Sequence, residues 1–134
     1  MRRLYLTVPA FCRVSATLKP SPDSDIKIEV WLPESAWNGA YQGFVGLMGG
    51  RPVAIVALVR GAGVLGVYSL GTRPEFRRRG YGEALLREAV AQMQPASGAP
   101  VEEPLVLEST EAGYRLYRRL GFRDITKFTV YLTR

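Results

Sequence analysis

At 134 residues, 47% of them apolar and with mean hydropathy near zero, the chain is long enough to bury the core of one globular domain and too short for two. It has no histidine and one cysteine, which excludes Ser-His-Asp and Cys-His catalysis, histidine metal sites and an internal disulfide. The net charge of +6 admits an anionic partner, but nucleic acid, a phosphorylated cofactor and a solvated surface all fit it, so the placement of the arginines has to decide.

Arg2-Arg3 followed by Leu4-Tyr5-Leu6 has the start of an export signal, but Thr7 and Pro9 interrupt it, and the chain reads as unexported and cytoplasmic. The longest apolar run, residues 53–59, falls far short of the roughly 20 residues a membrane-spanning helix needs. Cys12 has no histidine to lower its pKa and reads as a small buried hydrophobe rather than a nucleophile. Residues 14–18 and 26–32 alternate and are rich in β-formers, with Lys19-Pro20-Ser21-Pro22-Asp23-Ser24 between them, which predicts a hairpin. Residues 33–40 carry turn formers and Trp37. Segments 41–48, 52–60 and 63–70, separated by Gly49-Gly50 and Gly61-Ala62-Gly63, predict an antiparallel meander.

After Pro74 the period changes to that of a helix. Gly82, Leu85, Leu86, Ala89, Val90 and Met93 share one face, and Glu83 and Arg87, four apart on the opposite side, can pair. Residues 95–104, proline at both ends, predict a loop, and 105–108 a short buried strand. A second helix is predicted over 110–120, capped by Ser109 or Thr110 and stopped in a Schellman-type end at Gly121-Phe122, with Gly113, Leu116, Tyr117 and Leu120 facing inward. Residues 127–133 alternate as a last strand. The order predicts an α+β domain built on a mixed, mostly antiparallel central sheet with flanking helices.

The stretch Leu70-Gly71-Thr72-Arg73-Pro74-Glu75-Phe76-Arg77-Arg78-Arg79-Gly80-Tyr81-Gly82 joins a strand to the first helix. Three arginines and two glycines stand at a helix N-terminus, where free backbone N–H groups and the positive end of the dipole favour an anion and where a missing Cβ lets a phosphate approach. The same pattern also describes a solvated turn with two glycines shaping a helix start. Arg77, Gly80 and Gly82 satisfy the acyl-CoA signature of the GNAT N-acetyltransferase superfamily. The segment from Leu70 to Phe76 resembles the bulged fourth strand and following turn of that family, and Leu116-Tyr117-Arg118-Arg119-Leu120-Gly121-Phe122 is similar to its Leu-Tyr-x-x-x-Gly-Phe ending.

The resemblance implies one GNAT-like domain over residues 1–134, with an acetyl-CoA-binding core at 50–134. In that family the fourth and fifth strands, here 63–70 and 105–108, splay apart and grip pantetheine. It implies that Leu70, Gly71 and Thr72 receive the thioester arm, and that Arg77, Arg78, Arg79, Gly80, Tyr81, Gly82 and Glu83 wrap the pyrophosphate. Thr110 falls where the family has a polar residue, commonly asparagine, touching pantetheine. Transfer is then direct attack of a primary amine on the thioester of acetyl-CoA, the cosubstrate. Tyr117 stands at the family's position for the acid that protonates the departing thiolate, although periodicity alone assigns it to packing. Glu108, at a strand end, is either the base, its pKa raised by burial, or a solvent-facing terminus.

GNAT domains usually open with a strand and two helices, a pattern that residues 1–49 lack. Instead Pro9-Ala10-Phe11-Cys12-Arg13-Val14, the segment from Asp25 to Pro33 and Trp37-Asn38-Gly39 resemble the β-rich opening of tannases and feruloyl esterases. Without a histidine, esterase chemistry does not follow. A β-hairpin in place of the first helices would supply the missing strand or cover the apolar face those helices protect, and an uncovered face predicts self-association, a homodimer for instance. The sequence therefore supports three readings: an amine or peptide-amine acetyltransferase, a coenzyme A-binding remnant, and, ranked below both for lack of interleaved aromatics, a nucleic-acid binder.

Overall fold

The computed structural model describes residues 2–6, 26–31, 41–93, 103–127, 129 and 131, and side chains from residue 41 onward. The strands are β1 (Arg2–Leu6), β2 (Ile26–Trp31), β3 (Tyr41–Met48), β4 (Arg51–Gly61), β5 (Val64–Thr72), β6 (Leu105–Ser109) and β7 (Arg123–Lys127). Two helices, α1 (Tyr81–Gln92) and α2 (Glu111–Arg119), connect β5 to β6 and β6 to β7. Among the described residues one seven-stranded sheet runs in the order β2-β3-β4-β5-β6-β1-β7. Every neighbouring pair is antiparallel except β5 and β6, which are parallel and therefore need the crossover through α1.

The predicted meander forms as read. Along β4, Val53, Val56 and Leu58 turn to the helical face, as do Phe44 of β3, Leu65 and Val67 of β5, and Leu105 and Leu107 of β6. Leu85, Leu86, Ala89, Val90 and Met93 of α1 cover them, and Tyr117, Leu120 and Phe122 from α2 and its C-terminal turn complete the same cluster. The stripe read from the sequence is the stripe that is buried, because a 3.6-residue period keeps those positions on one side.

Three expectations need correction. Residues 2–6, read only as an interrupted export signal, form β1 between β6 and β7. The five residues pair through main-chain groups, which makes no demand for apolar alternation. Among the described residues the last strand is Arg123–Lys127, ahead of the predicted 127–133, of which residues 128, 130, 132 and 133 lie outside the described residues: the chain enters it directly from the buried Phe122, and its residues are exposed and so carry no periodic signal. Glu83 and Arg87 do pair, but on a buried side of α1, at 8% and 7% exposure. The predicted 14–18 strand, the loop before Ile26 and Cys12 lie outside the described residues, whereas Ile26–Trp31 does form a strand, paired along β3.

The contrast between covered and bare positions can be measured. Leu85→Ala, at a side chain with no exposure, should lower the unfolding free energy in urea by about 2–5 kcal/mol, whereas Ile125→Ala, at 56% exposure, should change it by no more than about 0.5 kcal/mol.

Candidate active site

The two parallel strands stay together for three positions only, Leu65 with Leu105, Gly66 with Val106, and Val67 with Leu107. Beyond them β5 bends. Its register against β4 shifts between Ile55 and Ala57, and Ser69 there takes the left-handed conformation at φ 53°, so an additional residue is accommodated in a bulge. β6 ends at Ser109, and Thr110 caps α2 by accepting a hydrogen bond from the Gly113 N–H at 3.4 Å. The strands therefore diverge, and two adjoining clefts of about 570 and 490 Å³ open between them, sharing Leu70, Thr110, Gly113 and Tyr117 in their walls.

The second cleft runs from Leu70, Gly71 and Thr72 to the start of α1, where Arg77, Arg78, Gly80, Tyr81, Gly82 and Glu83 line it. Gly80 is the N-cap, at φ 83°, and no side chain caps the helix, so the first-turn N–H groups carry the donor capacity that helix geometry leaves unspent. At Gly82 a Cβ would stand 3.0 Å from the Thr72 Oγ1, a tight contact that the threonine side chain would have to relieve by a few tenths of an ångström, so the glycine eases the close approach of the helix start to the end of β5. The three arginines divide. Arg77 donates from Nε to the Thr72 carbonyl at 3.0 Å and braces the loop. Arg79 lies 5.9 Å from the centre of the Phe76 ring, which Arg51 also approaches at 5.7 Å, and it is not among the cleft-lining residues. Arg78, in a left-handed conformation at φ 62°, is exposed on the cleft wall.

Glu83 also lines this cleft. Its carboxylate accepts hydrogen bonds from Arg87 at 2.8 and 3.2 Å, and from Arg119 of α2 at 2.9 Å. Burial pushes that carboxyl upward, but the hydrogen bonds from Arg119 and Arg87 and their charges outweigh it and hold it below the ordinary carboxylate value. Arg119, which the sequence reading passed over, also lines the cleft and ties α2 to α1. Its signal was a basic residue in the last turn of a helix, too common to single out.

Tyr117 is 8% exposed, lies edge-on to Phe122 at 5.7 Å, and lines both clefts. Its position has a local cause. Phe122 N–H bonds the Tyr117 carbonyl and Gly121 N–H the Arg118 carbonyl, the two bonds of a Schellman end, with Gly121 at φ 95° and the two rings in the usual apolar contact across it. Burial pushes the Tyr117 phenol above its ordinary value. Glu108 also lines the first cleft and is exposed on the face of β6 opposite Leu107 and Ser109, so of the two readings the sequence left open for it the solvent-facing strand end is the one found.

A sequence profile described as Acetyltransferase (GNAT) domain matches residues 39–124. The chain belongs to the GNAT acetyltransferase family. A GCN5-related N-acetyltransferase from Kribbella flavida resembles this GNAT chain at a TM-score of 0.64 and 21% identity, over 92% of this chain and 53% of that one. AAC(6')-Iy, solved in complex with the bisubstrate analogue CoA-S-monomethyl-acetylneamine, resembles it at a TM-score of 0.60 and 15% identity, over 83% of this chain and 99% of that one. These likenesses carry the fold. An uncharacterized esterase of Xanthomonas campestris pv. campestris is 50% identical over 34 residues, 25% of this chain and 6% of the esterase. The chain thus spans a small part of that esterase and about half of the Kribbella protein. Among the described residues no helix is long and apolar enough to cross a membrane.

The Glu83 bridge makes a pH-dependent prediction. Since its pKa is lower folded than unfolded, its stabilisation is present in full above the unfolded value of about 4.3 and is lost as pH falls through the folded one. Glu83→Gln should cost about 3 kcal/mol in denaturant unfolding at pH 7, because the buried Arg87 loses the Glu83 carboxylate, and the gap to the parent should narrow toward pH 3.

Proposed function

We propose that this GNAT domain transfers the acetyl group of acetyl-CoA to a primary amine, and that the divergence of β5 and β6 beside an uncapped helix start is the observation that carries the reading. The cleft suits a long thioester carrier with a diphosphate at one end. Main-chain groups of Leu70, Gly71 and Thr72 face an arm that can pair with them as an added strand, and Thr110 stands across from it. The N–H groups at Gly80 to Glu83, with Arg77 and Arg78, suit the phosphates, while Arg79 acts through the shape it gives the loop. The coenzyme A moiety of the analogue bound by AAC(6')-Iy, a protein of the same fold, supports the cosubstrate.

Two side chains carry proton transfers in the reaction. Glu108, directly or through a water, takes a proton from the acceptor's ammonium. The neutral amine attacks the thioester carbonyl, a C–N bond forms and the C–S bond breaks. The attacking nitrogen sheds its second proton to solvent, and Tyr117 gives its own proton to the departing sulfur and recovers one from solvent, so the products are an amide, free coenzyme A and one net proton. A phenol held above its ordinary value stays protonated throughout the neutral range and is available as that acid. The exposure of Glu108 suits exchange of its proton with solvent.

Calorimetry should show saturable binding of acetyl-CoA, and a screen of amines should release free coenzyme A. Tyr117→Phe should keep acetyl-CoA binding and lower kcat by about 10²-fold or more, as loss of a positioned acid does. The alkaline limb of the parent's kcat should lie above pH 10, since the phenol's pKa is raised rather than lowered. Binding without turnover in the parent would leave a coenzyme A-binding domain, and no binding at all would end the reading.

A further inference from the structure

The first cleft passes through the sheet. Gly113 and Tyr117 wall it from the helical side, whereas Tyr68 and Glu108 stand on the other face. That assignment follows from strand alternation: Leu65 and Val67 of β5 and Leu105 and Leu107 of β6 are core residues on the helical face, so Gly66, Tyr68, Val106 and Glu108 point away from it. Gly66 and Val106 are paired. Two residues further, just past the last ladder position, Tyr68 and Glu108 flank the gap where the strands begin to part.

Tyr68 is a large side chain left 55% exposed, and its ring does not stand upright. A Cβ at Gly66 would fall 2.6 Å from the Tyr68 Cε2, so the ring lies flat over the missing side chain of Gly66. The bulge at Ser69 turns the strand immediately afterwards, which leaves the ring as the rim of the opening. An aromatic face and a carboxylate across a narrow gap, with Val64 and Val106 beside them, form a surface of definite chemistry. The ring attracts a cation through its quadrupole and the carboxylate through its charge, while the flat ring and the valines accept apolar surface.

We infer that Tyr68, laid flat on Gly66, is the platform that selects the acceptor, and that the acceptor is a primary amine carried on an apolar or aromatic group, its ammonium between the ring and Glu108. The inference rests on the acetyl-transfer reading and names the acceptor class that reading leaves open. The amine then reaches the thioester from the face opposite the helices, through the gap, and Tyr117 meets the sulfur from the other side. Tyr68 is thus a specificity-determining residue that takes no part in the proton transfers.

The test compares kcat/KM for 2-phenylethylamine and for ethanolamine by release of free coenzyme A, with acetyl-CoA binding followed by calorimetry. The parent should prefer phenylethylamine by about tenfold or more. Tyr68→Ala should remove most of that preference through the acceptor's KM, with the acetyl-CoA Kd unchanged, and Tyr68→Phe should retain it. Gly66→Ala keeps the phenol but lifts the ring, and should reduce the preference as Tyr68→Ala does. Equal preference in the parent and Tyr68→Ala overturns the platform, and so does a parent that acetylates other amines but neither of these. Dissociation of a dimer by Tyr68→Ala with the preference unchanged reassigns the ring to an interface between copies. A parent that gives no heat with acetyl-CoA overturns the transfer reading itself, a result distinct from all of these.

Discussion

The arrangement of this domain depends on two parallel strands that pair for three positions and then separate. A parallel pair cannot be joined by a tight turn, so the chain must leave β5, cross one face of the sheet as α1 and return as β6. That crossover sets the N-terminus of α1 beside the open end of β5. The bulge at Ser69 bends β5 away from its neighbour, and the Thr110 cap turns β6 into α2 at the same level. Each device is local, but together they leave main-chain groups of a buried sheet turned toward a cleft instead of toward another strand. A buried polar main-chain group without a partner is costly, so a gap of this kind suits an occupant that can pair with it.

The walls of the cleft are tied to each other at the helix start. Glu83 receives two guanidinium groups, Arg87 from its own helix and Arg119 from the other, so one carboxylate joins α1 to α2 beside the helix start. A buried ion pair of this sort adds little net stability over an apolar replacement, and its consequence here is position. The loop before α1 is braced in the same spirit. Arg77 holds the Thr72 carbonyl, and Arg79 and Arg51 lie against Phe76, so a run of three arginines that looks like one anion site spends part of its charge and surface on shape.

Outside the matched region the chain extends the sheet at two places. β2 adds an edge strand to β3, and β1 enters between β6 and β7. Strand addition is read by main-chain donors and acceptors, so a segment without the helical pattern of the family's opening, and with an esterase-like stretch in it, can still serve as sheet. The same property explains why β1 and β7 escaped a reading by periodicity. Five residues that pair on both sides, or lie exposed along one edge, need no alternation.

Much of the domain was determined by local sequence. The stripe from Leu85 to Met93, the meander between its glycine turns, the Thr110 cap and the Gly121-Phe122 stop are set by residues within a few positions of each other, and they form as the residues dictate. The Leu-Tyr-x-x-x-Gly-Phe ending belongs to this class, since the Schellman bonds that seat Tyr117 against Phe122 involve only that turn. Tertiary structure alone decided the rest: that Glu83 and Arg87 pair on a buried side of α1, that Arg119 of α2 reaches Glu83, that Glu108 stays exposed, and that Tyr68 faces it across the opening strands. These depend on which distant segments meet, and one sequence holds no periodic trace of a meeting between residues forty positions apart.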